Sequence, residues 1–173
     1  YYFALTGADM GCGVMHSAGT PYFEFKSSPS DPDGCVYASQ PITEGQWTHV
    51  AAVYDSGNVK LFVQGALVAE KQLATSTLHG PTASGPNIGY TVAGHHQYFN
   101  GAISSLRLTE AALYSQNFNA TSVLQPLASP VGLWDLSIGS GLSIPDNSGN
   151  GHTGSIYGAT WESGCPEEDL DGD

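Results

Sequence analysis

The run Trp47-Thr48-His49-Val50-Ala51-Ala52-Val53-Tyr54, the turn Asp55-Ser56-Gly57 and the run Asn58-Val59-Lys60-Leu61-Phe62-Val63 decide the fold. Side chains alternate across a strand. Trp47, His49, Ala51 and Val53 therefore share one face, and Thr48, Val50, Ala52 and Tyr54 the other. Both faces are largely apolar, which places such a strand inside a layered structure with cover on both sides. Asp55-Ser56-Gly57 folds the second run back on the first as a hairpin. Gln64-Gly65 makes a second turn, and Ala66-Leu67-Val68-Ala69-Glu70-Lys71 returns as a third strand.

The flanks have the same grain. Upstream, Gly11 to Phe25 reads as a hairpin turning near Ala18-Gly19-Thr20-Pro21, Ser27 to Gly34 as a loop, and Cys35 to Ser39 as a short strand. Downstream come a Gly/Pro/Ser loop at His79 to Pro86, a short strand Asn87 to Tyr90, and a loop tip Gly94-His95-His96-Gln97. A long strand Tyr98 to Leu108 and one helical turn at Glu110 to Tyr114 follow. Beyond Pro130, Val131 to Ile138 and Ser155 to Trp161 read as strands on either side of the polar loop Asp146-Asn147-Ser148-Gly149-Asn150-Gly151. Short strands with regular turn signals predict an all-β, two-sheet antiparallel jelly-roll sandwich.

Composition narrows the function. The chain has 173 residues, 40% of them hydrophobic, enough for one domain with a real core. Lys plus Arg is 4 against 16 Asp plus Glu, a formal net charge of -12. A nucleic-acid binder needs clustered cations to displace counterions, so that class is excluded. Docking on anionic membranes is disfavoured for the same reason. No run of about 18 apolar residues is present, so no membrane-inserted helix is expected. No basic segment followed by an apolar one opens the chain, and Tyr1 to Leu5 reads as the middle of a strand. The chain is expected to be a segment of a longer precursor, with any signal peptide removed or outside it.

Gly45-Gln46-Trp47-Thr48-His49-Val50-Ala51-Ala52-Val53-Tyr54-Asp55 resembles the signature hairpin of laminin G-like domains, which are concanavalin A-like lectin/glucanase jelly rolls. The resemblance continues through Val59 to Gly65, Pro86-Asn87-Ile88-Gly89, Phe99-Asn100-Gly101-Ala102-Ile103 and Leu106-Arg107-Leu108, covering roughly Gly45 to Phe118. Leu133-Trp134-Asp135, Asp146 to Gly151 and Gly154 to Trp161 resemble the opening strands of such a domain, yet here they come last. They close their own sandwich, begin a second repeat, or complete a neighbour's sandwich to give strand-exchanged filaments. The expected layout is a body at 1–126, the displaced opening strands at 127–163, and an acidic tail at 164–173. That tail, Cys165 to Asp173, resembles the start of a dockerin-like calcium-binding repeat.

The resemblance implies a secreted or cell-surface binding module for a glycan or an extracellular protein. A strand-exchanging structural subunit that self-associates, and an accessory domain of a secreted hydrolase, are the alternatives. Catalysis is not expected. Glucanases of this fold set Glu, Asp and Glu at alternate positions of one strand, and no E-x-D-x-E occurs here. Calcium is the candidate cofactor, held by Asp146 and Asn150, with a self-bonded Asx turn as the alternative reading of that loop. The family often carries an Asp after the Ile of its F-x-G-x-I strand, and this chain has Ser104 there. His95 and His96 form a polar loop tip that, with Tyr98, can contact a ligand. His49 reads as a core histidine, and Trp47, Trp134 and Trp161 as packing. Cys12 and Cys35 flank a segment that folds back, and either form a disulfide or stay as buried thiols, leaving Cys165 odd. Asn119-Ala120-Thr121 fits the N-glycosylation triplet.

Overall fold

A computed structural model describes residues 2–5, 10–11, 14–15, 17–25, 34–73, 87–91, 97–125, 127 and 130–164. Contacts divide the chain into two units, Tyr1–Asn100 with Tyr114–Ala120, and Gly101–Leu113 with Thr121–Asp173.

In the first unit the strands are β1 (Tyr2–Leu5), β2 (Met10–Gly11), β3 (Val14–Met15), β4 (Pro21–Phe25), β5 (Gly34–Tyr37), β6 (Val50–Asp55), β7 (Asn58–Val63), β8 (Ala66–Gln72), β9 (Tyr90–Thr91) and β10 (Gln97–Tyr98). All pairings are antiparallel: β1-β4-β5, β6-β7-β8, and the two-stranded ribbons β2-β3 and β9-β10. The β6-β7-β8 meander is tied by two tight turns. Ser56 and Gly57 have φ 49° and 90°, and Gln64 and Gly65 have φ 49° and 75°. Two successive positive φ values twist the chain the way a strand pair twists, which is why such turns close hairpins.

The central hairpin forms where it is expected, turning at Ser56-Gly57 with Asp55 opposite Asn58, but β6 starts at Val50 rather than Trp47. Before Val50, His49 is held by Gln64: its amide donates to the Gln64 Oε1 at 2.7 Å, and its carbonyl accepts the Gln64 amide at 2.8 Å. Val36 and Ala38 from the β4-β5 side meet Val59 and Leu61 of β7 in one buried cluster, with Phe23, Val50, Ala52, Tyr54, Ala69 and Leu73 packed around it. This is the interior between two sheets. The opposite face of β7 carries Phe62, fully buried. It is covered by the segment Tyr114 to Phe118, which forms no helix. Tyr114 and Phe118 stack face to face, centroids 3.6 Å apart, and each meets Phe62 edge-on.

In the second unit β11 (Ser105–Thr109) pairs with β12 (Pro130–Asp135), and β13 (Ser143–Ile144) with β14 (Gly154–Ser155), both antiparallel. The expected long strands are shorter. Val131 to Ile138 ends as a strand at Asp135, whose Oδ1 caps a 3-10 turn Leu136–Ile138 by accepting the Ser137 amide at 2.9 Å. Of Ser155 to Trp161 only Ser155 is in a strand, and Tyr98 and Leu108 fall in separate strands. β12 pairs with β11 of the same chain. Trp134 is buried and lies over Gly132, where an added Cβ would run into the indole ring.

Candidate functional site

The β9-β10 ribbon presents aromatic rings. Tyr90 and Tyr98 are cross-strand partners, with ring centroids 4.9 Å apart and planes 31° apart. Cross-strand aromatic pairs of this kind contribute to holding a ribbon together. The Phe99 amide donates to the Gly89 carbonyl at 2.8 Å, continuing the pairing by one rung. Tyr98 remains 76% exposed, and Ile88 and Phe99 are also exposed. His95 and His96, expected to act with Tyr98, lie outside the described residues. A ring held from behind and open in front is an apolar face with a hydroxyl at its edge, the form that packs on a flat ligand.

The second candidate region is the Asp146 to His152 loop. Asp146 Oδ1 accepts the Leu133 amide at 3.0 Å and the Ser148 amide at 2.9 Å, and Oδ2 accepts the His152 amide at 2.9 Å. The Asp146 side chain is wholly covered. One carboxylate thus joins β12 to both limbs of the loop. The Asn150 Nδ2 donates to the carbonyls of Pro130 at 2.6 Å and Val131 at 3.1 Å. His152 Nδ1 lies 2.9 Å from the Val131 carbonyl and 3.4 Å from Asp146 Oδ2. The Trp134 indole N–H donates to the His152 carbonyl at 2.7 Å.

Asp146 and Asn150 are brought together, but this donor set does not fit a calcium ion placed between them. Asp146 points both oxygens at N–H groups, and Asn150 turns its NH2 end toward the strand. The arrangement is the Asx turn of the alternative reading, extended by bonds to Leu133 and His152. Ser104, at the family's Asp position, accepts the Leu136 amide through its carbonyl at 2.8 Å.

The Leu133 amide, followed by Ser148 and His152, holds the Asp146 carboxyl well below the usual carboxylate range, against an opposing desolvation cost. The unfolded chain therefore takes up the proton first. The stability owed to this carboxylate is complete above its ordinary pKa of 3.8 and drains away as the pH falls toward the depressed value. Asp146→Asn is expected to lower the Tm at pH 7, and the gap to wild type to narrow from about pH 4 downward. Thermal unfolding of both proteins from neutral to acid pH measures this; a gap constant with pH would show that charge does not hold the loop.

The family model described as the concanavalin A-like lectin/glucanases superfamily matches residues 3–117. The chain belongs to this superfamily. Comparison with curated proteins and with solved structures gives no match. The lectin/glucanase match begins well upstream of the Gly45 hairpin, so the early strands are part of the superfamily domain. Its members' description spans sugar binders and sugar-cleaving enzymes. Glu24 sits on β4 opposite Cys35, and Glu70 is 3.6 Å from Lys60 and accepts from Asn58 at 2.7 Å.

Cys35 is disulfide-bonded; Cys12 and Cys165 lie outside the described residues. Asn119 is exposed. His49 packs edge-on against Phe118 at 5.5 Å, Trp134 is core, and Trp47 is 39% exposed. Sequence reasoning missed His152 and Glu110, which line one open pocket with Pro130, Val131 and Asn150. A histidine directly after the Asp146 to Gly151 loop was the available signal, but its partners come from strand β12.

Proposed function

We propose that the chain is an extracellular, non-catalytic module that binds carbohydrate, with Tyr98, backed by Tyr90, as its contact platform. The observation that carries this is the exposed Tyr98 ring packed at a tilt against its cross-strand partner Tyr90. Membership in a superfamily of sugar-handling domains supplies the ligand class. A low charged fraction of 12% suits recognition by apolar faces and hydrogen bonds rather than by ion pairs. The Cys35 disulfide supports an oxidising compartment; a chain found only in the cytoplasm of its own cell would overturn that part.

Glycan-array screening followed by calorimetry on the best ligand tests the reading. Tyr98→Ala is expected to weaken binding at least about tenfold, as truncating a tyrosine anchor does. Its Tm is expected to stay close to wild type, because the lost ring is mostly in solvent. Binding unchanged by the substitution, or no binding to any glycan, would discard the platform. A protein ligand captured through Tyr98 in place of a glycan would keep the platform and replace the ligand class.

A further inference from the structure

We propose that Asn100 is a self-modification site, where the Gly101 backbone nitrogen converts the Asn100 carboxamide to an aspartyl or isoaspartyl residue, while the fold protects the chain's other Asn-Gly pair, Asn150-Gly151. These are the Asn-Gly pairs of the sequence. In the first step the glycine nitrogen attacks the asparagine Cγ and a new C–N bond forms. The bond from Cγ to the side-chain nitrogen breaks, and ammonia leaves with the proton that the backbone nitrogen gives up. A cyclic imide remains. Water then adds to one of its two carbonyls and reopens the ring, as aspartate or as isoaspartate according to which carbonyl it takes. No oxidant or reductant enters. Glycine favours the attack, because the missing Cβ leaves the nitrogen open to approach and the backbone free to bend.

The step needs a carboxamide that can swing toward the next residue and an amide nitrogen that is not donating elsewhere. Asn100 and Gly101 supply both. They are exposed and lie outside any strand, with the chain bending at Gly101. Among the described residues neither takes part in a hydrogen bond. Asn150 is exposed as well, but its carboxamide is clamped. Its Nδ2 donates to Pro130 O at 2.6 Å and Val131 O at 3.1 Å, so turning Cγ toward Gly151 breaks both bonds. Asn147 has the complementary protection, because the next amide, that of Ser148, donates to Asp146 Oδ1 at 2.9 Å. Exposure therefore does not separate these asparagines; hydrogen bonding does. Conversion sets a carboxylate two residues after Tyr98, in a chain whose formal net charge is already -12. Isoaspartate also adds a carbon to the backbone there.

The test incubates the full chain in mildly alkaline buffer, native and in guanidinium chloride. Peptide mass spectrometry follows each asparagine, and isoaspartyl methyltransferase labelling counts the rearranged product. In the native chain Asn100 is expected to convert at least about tenfold faster than Asn150, the factor set by two hydrogen bonds that must break. In guanidinium chloride the gap is expected to close, because Asn150 loses its carbonyl partners. Gly101→Ala is expected to slow conversion at Asn100 and to keep the wild-type Tm, since Gly101 is not among the glycines with positive φ. These readouts involve no glycan, so their outcome is independent of what Tyr98 binds. Native conversion at Asn150 as fast as at Asn100, a native Asn100 that stays intact while the unfolded chain converts, or a gap that persists in guanidinium chloride would each overturn the proposal.

Discussion

Gly65→Ala is expected to destabilise the first unit by about 3 kcal/mol or more. Two costs combine. Gly65 has φ +75°, and a residue with a Cβ in that region costs about 1–2 kcal/mol. The added Cβ would also run into the Phe118 carbonyl oxygen, and it would sit 3.0 Å from the Phe118 carbonyl carbon and 3.2 Å from the Ala120 amide nitrogen. These are backbone atoms, which cannot swing away as a side-chain tip would. They are also tied in place, since the Phe118 amide donates to Gly65 O at 2.9 Å. Overpacking of this kind adds about 1–3 kcal/mol. Gly45→Ala is the control: φ is +74° and nothing lies within 4 Å of the new Cβ. It is expected to show the backbone cost alone. Urea denaturation of both variants separates the two costs, and equal losses would mean that the Phe118 segment does not cross Gly65 as described.

Phe62→Ala is expected to cost about 3–5 kcal/mol, the range for emptying a buried phenylalanine site. Phe62 has no exposed surface and meets Tyr114 at 6.0 Å and Phe118 at 5.5 Å between ring centroids. The void would open beneath the stacked Tyr114–Phe118 pair. That pair can collapse only in part, because its segment is pinned along its length. Asn117 Oδ1 accepts the Leu67 amide at 2.9 Å, and the Ser115 carbonyl accepts from Lys60 Nζ at 2.7 Å. Phe62→Leu keeps most of the volume and is expected to lose less than half as much. Chemical denaturation with intrinsic fluorescence measures both. A cost below about 1 kcal/mol for alanine would show that the second face of β7 is not covered. Gly65→Ala and Phe62→Ala act on the same covering segment, so their effects are not expected to add.

The covering segment also marks the limit of what the chain's pattern reveals. Apolar residues on both faces of Val50 to Tyr54 and Val59 to Val63 announce that each face is buried, and the hairpin register follows from the turn at Ser56-Gly57. Nothing in that pattern says what does the burying. Glu110 to Tyr114 reads as a helical turn because short apolar spacing there is compatible with one. The structure instead spends Tyr114 and Phe118 as a flat lid on Phe62, about fifty residues away in sequence. The Asp146 loop divides in the same way. Its Gly and Asn content marks a tight polar turn, and the Ser148 bond is local, so an Asx turn is legible. The Leu133 and His152 bonds, which remove Asp146 from metal binding and orient His152, are not.

The sequence by itself determined the strand class, the central hairpin and its turns, the acidic balance and the superfamily. These depend on alternation and on glycine and asparagine at turns, which are properties of neighbours along the chain. Tertiary structure alone decided which segment covers Phe62, that β12 pairs with β11 of its own chain, and that Asp146 bonds the amides of Leu133, Ser148 and His152. Hydrogen bonds and ring stacking act over a few ångströms in space, and the residues they join stand far apart in the chain.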